Sequence, residues 1–251
     1  MCGRFSLIHT PEDVEQFFAL AGVDAFPPRY NIAPTQPVLV VTPAAARPEG
    51  SNLPDRQIHL MRWGLIPSWV KDPKDFPLLI NARSETAATK NSFRAAMRHR
   101  RGLLPASGFY EWQRDPETKH SQAWWVPTSS GAIAAFAALF ETYISKDGSE
   151  IDTVAILTTE AEPPFSEIHN RIPVTIQPTD FDRWLDVKNN EPKHVSDLLV
   201  PPQADFFEPV PVSDLVNKVS NSGSEVQERV RPKKLHHSEP ATVEPDQPSL
   251  F

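Results

Sequence analysis

An α+β fold with a mainly antiparallel sheet is predicted by five strand-like apolar runs, the lack of long helices between them, and 27 prolines among 251 residues. Proline at about twice its usual frequency, spread along the chain, implies many short elements joined by turns. Long crossover helices, which a doubly wound parallel sheet needs, are missing from the pattern. The runs are VLVVT (38–42), QIHLMRW (57–63), QAWWVP (122–127), AIAAFAALF (132–140) and DTVAILTT (152–159).

In chain order, the first predicted helix lies in TPEDVEQFFALAG. Thr10 can cap it, Pro11 suits the first turn, and Asp13 completes a box-like cap. Val14, Phe17, Phe18 and Ala21 share a face, and Gly22 can end the helix. Residues 42–56 read as a loop with nothing to bury. A helical pair is expected at 84–101, with shorter helices near 179–187 and 193–199. From about Ser220 the chain turns polar and proline-punctuated, so a folded domain is expected over 1–220 and a disordered tail over 221–251.

Composition narrows the function classes. With 39% apolar residues the chain can bury a sizeable core. No run approaches 18 apolar residues, and no charged segment followed by an apolar stretch opens the chain. One cysteine cannot form an internal disulfide, and no Cys/His cluster has zinc spacing. The expectation is an intracellular protein (cytoplasmic or nucleoid if bacterial) and a monomer, with no metal, cofactor or membrane partner. The net charge of −7 hides an asymmetry. Residues 56–101 hold ten Lys/Arg against three Asp/Glu, and residues 141–208 hold five against fourteen. A local basic surface matters more for phosphate contact than the global sum, although RAAMRHRR (94–101) also reads as a solvated helix face.

The single cysteine is Cys2. Were Met1 removed, this residue would carry a free α-amine and a thiol on adjacent carbons, two nucleophiles on one residue. Four separated stretches add polar residues beside apolar ones. NARSET brings Asn81, Arg83 and Glu85; GFYEW brings Glu111 among aromatics; IHNRIPV brings His169 and Arg171; MRWGLIPSW brings Arg62, Trp63 and Trp69. Singly, each also has a purely structural explanation. Glu111 fits the outward position of an amphipathic strand, His169 a satisfied core histidine, and the tryptophans core filler.

Together with MCGRF these stretches change the reading. The chain resembles the SOS response-associated peptidase (SRAP) family of abasic-site processing proteins. The resemblance runs in order through MCGRF, YNIAPTQ (30–36), WGLIPSW (63–69), NARSET (81–86), PASGFYEW (105–112), FAALFE (136–141), ILTTEA (156–161), HNRIPV (169–174) and PVSDLVN (211–217), covering roughly residues 1–220. It implies a barrel-like antiparallel core with flanking helices, and covalent attachment of Cys2 to abasic sites in single-stranded DNA. It implies Glu111 as acid/base, His169 as an aid to sugar ring opening and proton shuttling, and Asn81 as the group that fixes the N-terminal residue or the sugar. Arg4, Arg83, Arg94 and Thr158 are implied DNA contacts, with Trp69 and Trp112 stacking on neighbouring bases. Two positions depart from the family pattern: Ile172 stands where methionine is common, and Ser107 where an acidic residue is usual.

Three rival classes fit part of the pattern. Class II glutamine amidotransferases also begin Met-Cys-Gly, but their asparagine-glycine oxyanion loop and arginine-aspartate pair find no counterpart in this sequence. A single-stranded DNA binder with an incidental Cys2 is the second. The third is a cysteine peptidase acting on other proteins, although the expected peptidase activity is limited to removal of the chain's own Met1. The terminal QPSLF resembles the Gln-x-Ser/Asp-Leu-Phe peptides that dock on the bacterial DNA sliding clamp, with Gln247, Leu250 and Phe251 as the contacting residues.

Overall fold

The computed structural model describes residues 2–45, 50–118 and 120–233, and within them two sheets meet where the chain begins. The chain runs β1 (Arg4–Leu7), α1 (Pro11–Phe18), β2 (Arg29–Ile32), β3 (Pro37–Pro43), β4 (Arg56–Trp63) and β5 (Asn81–Arg83). It continues through α2 (Ser84–Ala87), α3 (Arg94–His99), β6 (Arg101–Ala106), β7 (Gly108–Arg114), β8 (Ser121–Pro127), β9 (Ala134–Ile144) and β10 (Glu150–Glu160). The last elements are β11 (Arg171–Pro173), α4 (Phe181–Leu185) and β12 (Val210–Val212).

One sheet closes on itself. Its order β10–β4–β3–β6–β9 is completed by the β9–β10 pairing, giving a five-stranded barrel without free edges around the ring. Antiparallel pairing dominates as expected, but β10 pairs with β4 and β5 in parallel. Along one side of β10, β4 faces Thr153–Val154 and β5 then faces Ile156–Thr158. Along the other side, β9 runs as far as Ile156 and β11 takes over at Thr158–Glu160. The end of β10 is thus flanked by two three-residue strands, which carry Asn81 and Arg171. The second sheet, ordered β12–β8–β7–β1–β2, holds the N-terminal strand between two antiparallel neighbours.

Burial explains which strands are legible. Every residue from Ala134 to Leu139 on β9 is buried, as are all six of β6, because each has packing on both faces. Such strands show no polar alternation, so RGLLPA carries no strand signal. The chain crosses from barrel to second sheet at Ser107, whose hydroxyl accepts from the Ile8 N–H at 2.8 Å and pairs with His9 Nδ1 at 2.7 Å. This hydrogen bonding ties the crossing to the chain that follows β1. Gly108 follows because a Cβ there would lie 2.5 Å from the Val126 carbonyl oxygen.

The five expected strands form within a few residues of their predicted bounds, and the capping box of α1 forms as expected, with Thr10 Oγ1 accepting from Asp13 N and Asp13 Oδ2 accepting from Thr10 N. The helix stops earlier than Gly22. Ala19 adopts a left-handed conformation (φ 51°), and Leu20, not Ala21, is buried. Burying the larger side chain offsets the roughly 1–2 kcal/mol cost of that backbone. The helical pair appears as α2 and α3, but Arg101 already belongs to β6. Its fully buried guanidinium donates to the carbonyls of Met97, Trp184, Asp186 and Asn190, tying α4 and the following turn to the barrel.

The ordered chain also continues beyond Ser220. Val226 is fully buried in a short turn (Ser224–Gln227), Asn31 Nδ2 donates to the Asn221 carbonyl at 2.7 Å, and Gln227 Nε2 donates to Ser6 Oγ at 3.2 Å. Polar composition misleads here because one apolar side chain, Val226, is buried and hydrogen bonds to Asn31 and Ser6 tie the segment to β2 and β1. The clamp-like residues Gln247, Leu250 and Phe251 lie outside the described residues. Val226→Asp should therefore lower the unfolding free energy by roughly 3 kcal/mol in urea titrations, the cost of burying an unpaired charge. A change within about 0.5 kcal/mol, typical of an exposed site, would contradict this packing.

Candidate active site

The register of β1 on β7, Arg4 opposite Tyr110 and Phe5 opposite Phe109, directs the residues before Arg4 towards Glu111 and Trp112. Cys2 is almost wholly buried there, at 1% exposure. Its carbonyl accepts a hydrogen bond from Asn81 Nδ2 at 2.8 Å, and its Sγ lies 3.9 Å from the Arg4 carbonyl oxygen. Burial, and next the charge of Glu111, push the thiol well above its ordinary range, so the resting sulfur is protonated.

Glu111 shares the inward face of β7 with Phe109 by the two-residue alternation of a strand, and is 4% exposed. An outward position for this residue is thereby excluded. Burial raises its carboxyl pKa. His169 follows a short turn (Phe165–Glu167) and is about a quarter exposed at its side chain. Its Nδ1 accepts from the Arg171 backbone N–H at 2.9 Å, so the proton of the neutral ring sits on Nε2. That Nε2 lies 3.7 Å from Glu111 Oε1. Burial first, then neighbouring positive charge, lowers the His169 pKa to about 4, keeping the imidazole neutral at physiological pH. A raised carboxyl and a lowered imidazole face each other beside a buried thiol, an arrangement suited to passing a proton.

The four residues expected to carry chemistry are therefore brought together, and from different parts of the fold. Cys2 and Glu111 come from the second sheet, Asn81 from β5, and His169 from the approach to β11. The expected DNA contacts divide. Arg83 and Arg94 are exposed on β5 and α3, and Trp69 is 57% exposed with its ring edge-on to Phe76. Arg4 is largely committed inside, its Nη1 donating to Asn31 Oδ1 at 2.7 Å and to the Val216 carbonyl at 2.8 Å. Trp112 is half-buried, donating to Asn217 Oδ1 at 2.7 Å with the Arg4 guanidinium 6.0 Å from its ring centroid. Thr158 has no exposed surface, so it is not a DNA contact in this geometry; its carbonyl accepts from Arg171. The sequence marked Glu85 and Arg171 without assigning them a role, and here they form a bidentate ion pair at 2.6 and 2.9 Å.

Among the described residues, no group of three or more His, Cys, Asp and Glu is arranged to hold a metal ion, and no helix is long and apolar enough to cross a membrane.

The family model described as SOS response associated peptidase (SRAP) matches residues 1–219. The chain is 38% identical over 236 residues to abasic site processing protein YoqW of Bacillus subtilis, covering 91% of this chain and 99% of that protein. It is 31% identical over 239 residues to abasic site processing protein YedK of Escherichia coli, covering 90% and 98%. Abasic site processing protein HMCES of Rattus norvegicus is 28% identical over 267 residues, covering 90% of this chain and 75% of that protein. A crystal structure of a protein from Bacteroides thetaiotaomicron shares the fold, with a TM-score of 0.79, 20% identity, and coverage of 92% and 100%.

Glu111 and His169 act oppositely on stability. His169 is protonated near pH 6.5 when unfolded but near 4 when folded, so between these values the unfolded chain binds more protons and stability falls as pH falls. Glu111 holds its proton longer in the fold, so its contribution is lost as pH rises from about its ordinary 4.5 through the raised value. Glu111→Gln should gain stability relative to the unsubstituted protein as pH rises through that window, measured by urea unfolding. Parallel pH profiles for the two proteins would show that Glu111 is not perturbed.

Proposed function

The chain belongs to the SOS response associated peptidase family, and from that premise we propose that it processes abasic sites by capturing them in single-stranded DNA on Cys2, after removal of Met1. The observation that carries this reading is the Cys2 carbonyl held by Asn81, with thiol, carboxyl and neutral imidazole gathered around it.

The chemistry follows from these groups. An abasic deoxyribose equilibrates with an open-chain aldehyde. Glu111, whose carboxyl pKa is raised by burial, donates a proton to the departing ring oxygen, and His169 assists the opening. The Cys2 amine adds to the aldehyde carbon, water leaves, and an imine forms. The thiol then adds to the imine carbon, its proton passing through Glu111 to the nitrogen. The product is a five-membered thiazolidine, formed with net loss of one water. Removing the imine protects the strand from β-elimination. A thiol that rests protonated needs such a base, which is why a carboxylate beside it matters. Arg83 and Arg94 would meet phosphates, and Trp69 would stack on a base. Release of Met1 by the protein itself, and reversal through His169, belong to the same proposal.

The Met1-free protein, incubated with a single-stranded oligonucleotide bearing one abasic site, should give a shifted band on a denaturing gel. Cys2→Ala should give none without reductant, while borohydride should trap a residual imine on the alanine amine. Glu111→Gln should slow adduct formation by ~10²–10⁴-fold while leaving non-covalent DNA affinity intact. Equal heat-stable adduct from Cys2→Ala would end the thiazolidine reading.

The tail extends the proposal. Tethering by QPSLF to a sliding clamp would raise the local concentration of Cys2 where polymerases stall. A fluorescent peptide of residues 240–251 should bind purified clamp, and replacing Leu250 and Phe251 by alanine should abolish binding. Absence of binding, or binding that survives the double replacement, would remove this partner.

A further inference from the structure

Arg171 is held at both ends. Its Nη1 and Nη2 donate to the two carboxylate oxygens of Glu85 at 2.6 and 2.9 Å, and Nη2 also donates to the Thr158 carbonyl. Its backbone N–H donates to His169 Nδ1 at 2.9 Å. One residue therefore couples the first turn of α2, the end of β10 and the imidazole. The clamp is anchored in the barrel, since Glu85 follows β5, which pairs with β10 through Ile156↔Asn81. Arg171 itself faces Glu160 on the other side of β10.

We infer that Glu85 is a positioning residue: by fixing the Arg171 fork, it holds the Arg171 N–H on His169 Nδ1 and so keeps the ring proton on Nε2, facing Glu111. The planar fork suits this task because two parallel charge-assisted bonds fix direction as well as distance. Glu85 is itself about half exposed at its side chain, while Arg171 is nearly buried, so the carboxylate sits at the rim and its partner reaches inward. Without Glu85, Arg171 retains, among the described residues, only Thr158 as a hydrogen-bond partner for its side chain, and β11 has only three residues to hold the backbone. The ring could then take its proton on Nδ1, turning Nε2 into an acceptor towards Glu111 and reversing the direction of proton passage. The inference deepens the proposed reaction and rests on it for its catalytic meaning, but the tautomer is a property of the protein alone.

The groups that bear on the His169 proton are the N-terminal amine, Glu111 and Arg114 on β7, Arg171 on β11, and Glu85 behind Arg171. Long-range proton–nitrogen NMR on protein with labelled histidine, assigned by comparison with His169→Gln, reads the tautomer directly without DNA. The unsubstituted protein should show a single His169 tautomer, protonated on Nε2. Glu85→Ala should show a mixture of the two tautomers, with adduct formation slowed on the order of 10-fold. Arg171→Lys, which keeps the charge but not the fork, should behave alike, and Glu85→Asp should restore the single tautomer at least in part. A Glu85→Ala protein that keeps the single Nε2–H tautomer overturns the inference, whatever its rate. Failure of every variant and of the parent to form adduct counts against the proposed reaction and leaves the NMR result standing.

Discussion

The hydrogen bond from Asn81 Nδ2 to the Cys2 carbonyl is the contact on which the site depends, because it fixes a residue at the extreme start of the chain. Fixing one residue's backbone costs about 1–2 kcal/mol, and one hydrogen bond returns roughly 1. The contact holds only because both partners are already placed. Asn81 is set by β5 on β10 and by Trp63, whose Nε1 donates to the Ile80 carbonyl at 2.9 Å. The same Trp63 packs edge-on against Phe5 of β1 at 5.1 Å. Strand β1 is thus gripped through Phe5 and through Cys2 by neighbouring parts of the barrel, while β2 and β7 pair along its length.

Low dielectric then sets the protonation states. The same burial that keeps the Cys2 sulfur a thiol raises Glu111 and lowers His169, because in each case the charged form is disfavoured. A site built this way disfavours charge and moves protons through short, directed steps. It needs an external fixture for the imidazole, since a neutral ring can carry its proton on either nitrogen. The Arg171 N–H supplies that fixture here.

Positive charge is divided between structure and surface. In the basic stretch 56–101, Arg101 is spent on four backbone carbonyls, Arg100 on Glu141, and Arg56 on Asp182 and the Phe18 carbonyl. Lys71, Lys74, Arg83, Lys90 and Arg94 remain exposed or at the rim. The guanidinium groups of Arg4 and Arg171, by contrast, bind protein groups beside the site. An arginine near catalytic residues is therefore no sure phosphate ligand; burial decides whether its donors are already occupied.

The sequence by itself determined the antiparallel α+β class, the capping of α1, five of the barrel and sheet strands, and the identity of Cys2, Asn81, Glu111 and His169 as site candidates. Those signals are local: period-two alternation, a Thr-x-x-Asp cap after which Pro11 starts the helix, and short motifs in a fixed order. Tertiary structure decided what depends on packing from elsewhere in the chain. The strands β6 and β7, buried over most of their length, lack alternation; Ala19 ends α1 so that Leu20 can be buried; residues 221–233 are held by Asn31 and Ser6 despite their polar composition. Whether Glu111 points inward and whether Thr158 is reachable are settled by strands that come from distant parts of the chain. Which nitrogen of His169 carries the proton follows from the bend that turns the Arg171 N–H back onto Nδ1. Such contacts leave no periodic trace in a single sequence, because each side chain's partner is set by the path of the backbone and not by a repeat in residue type.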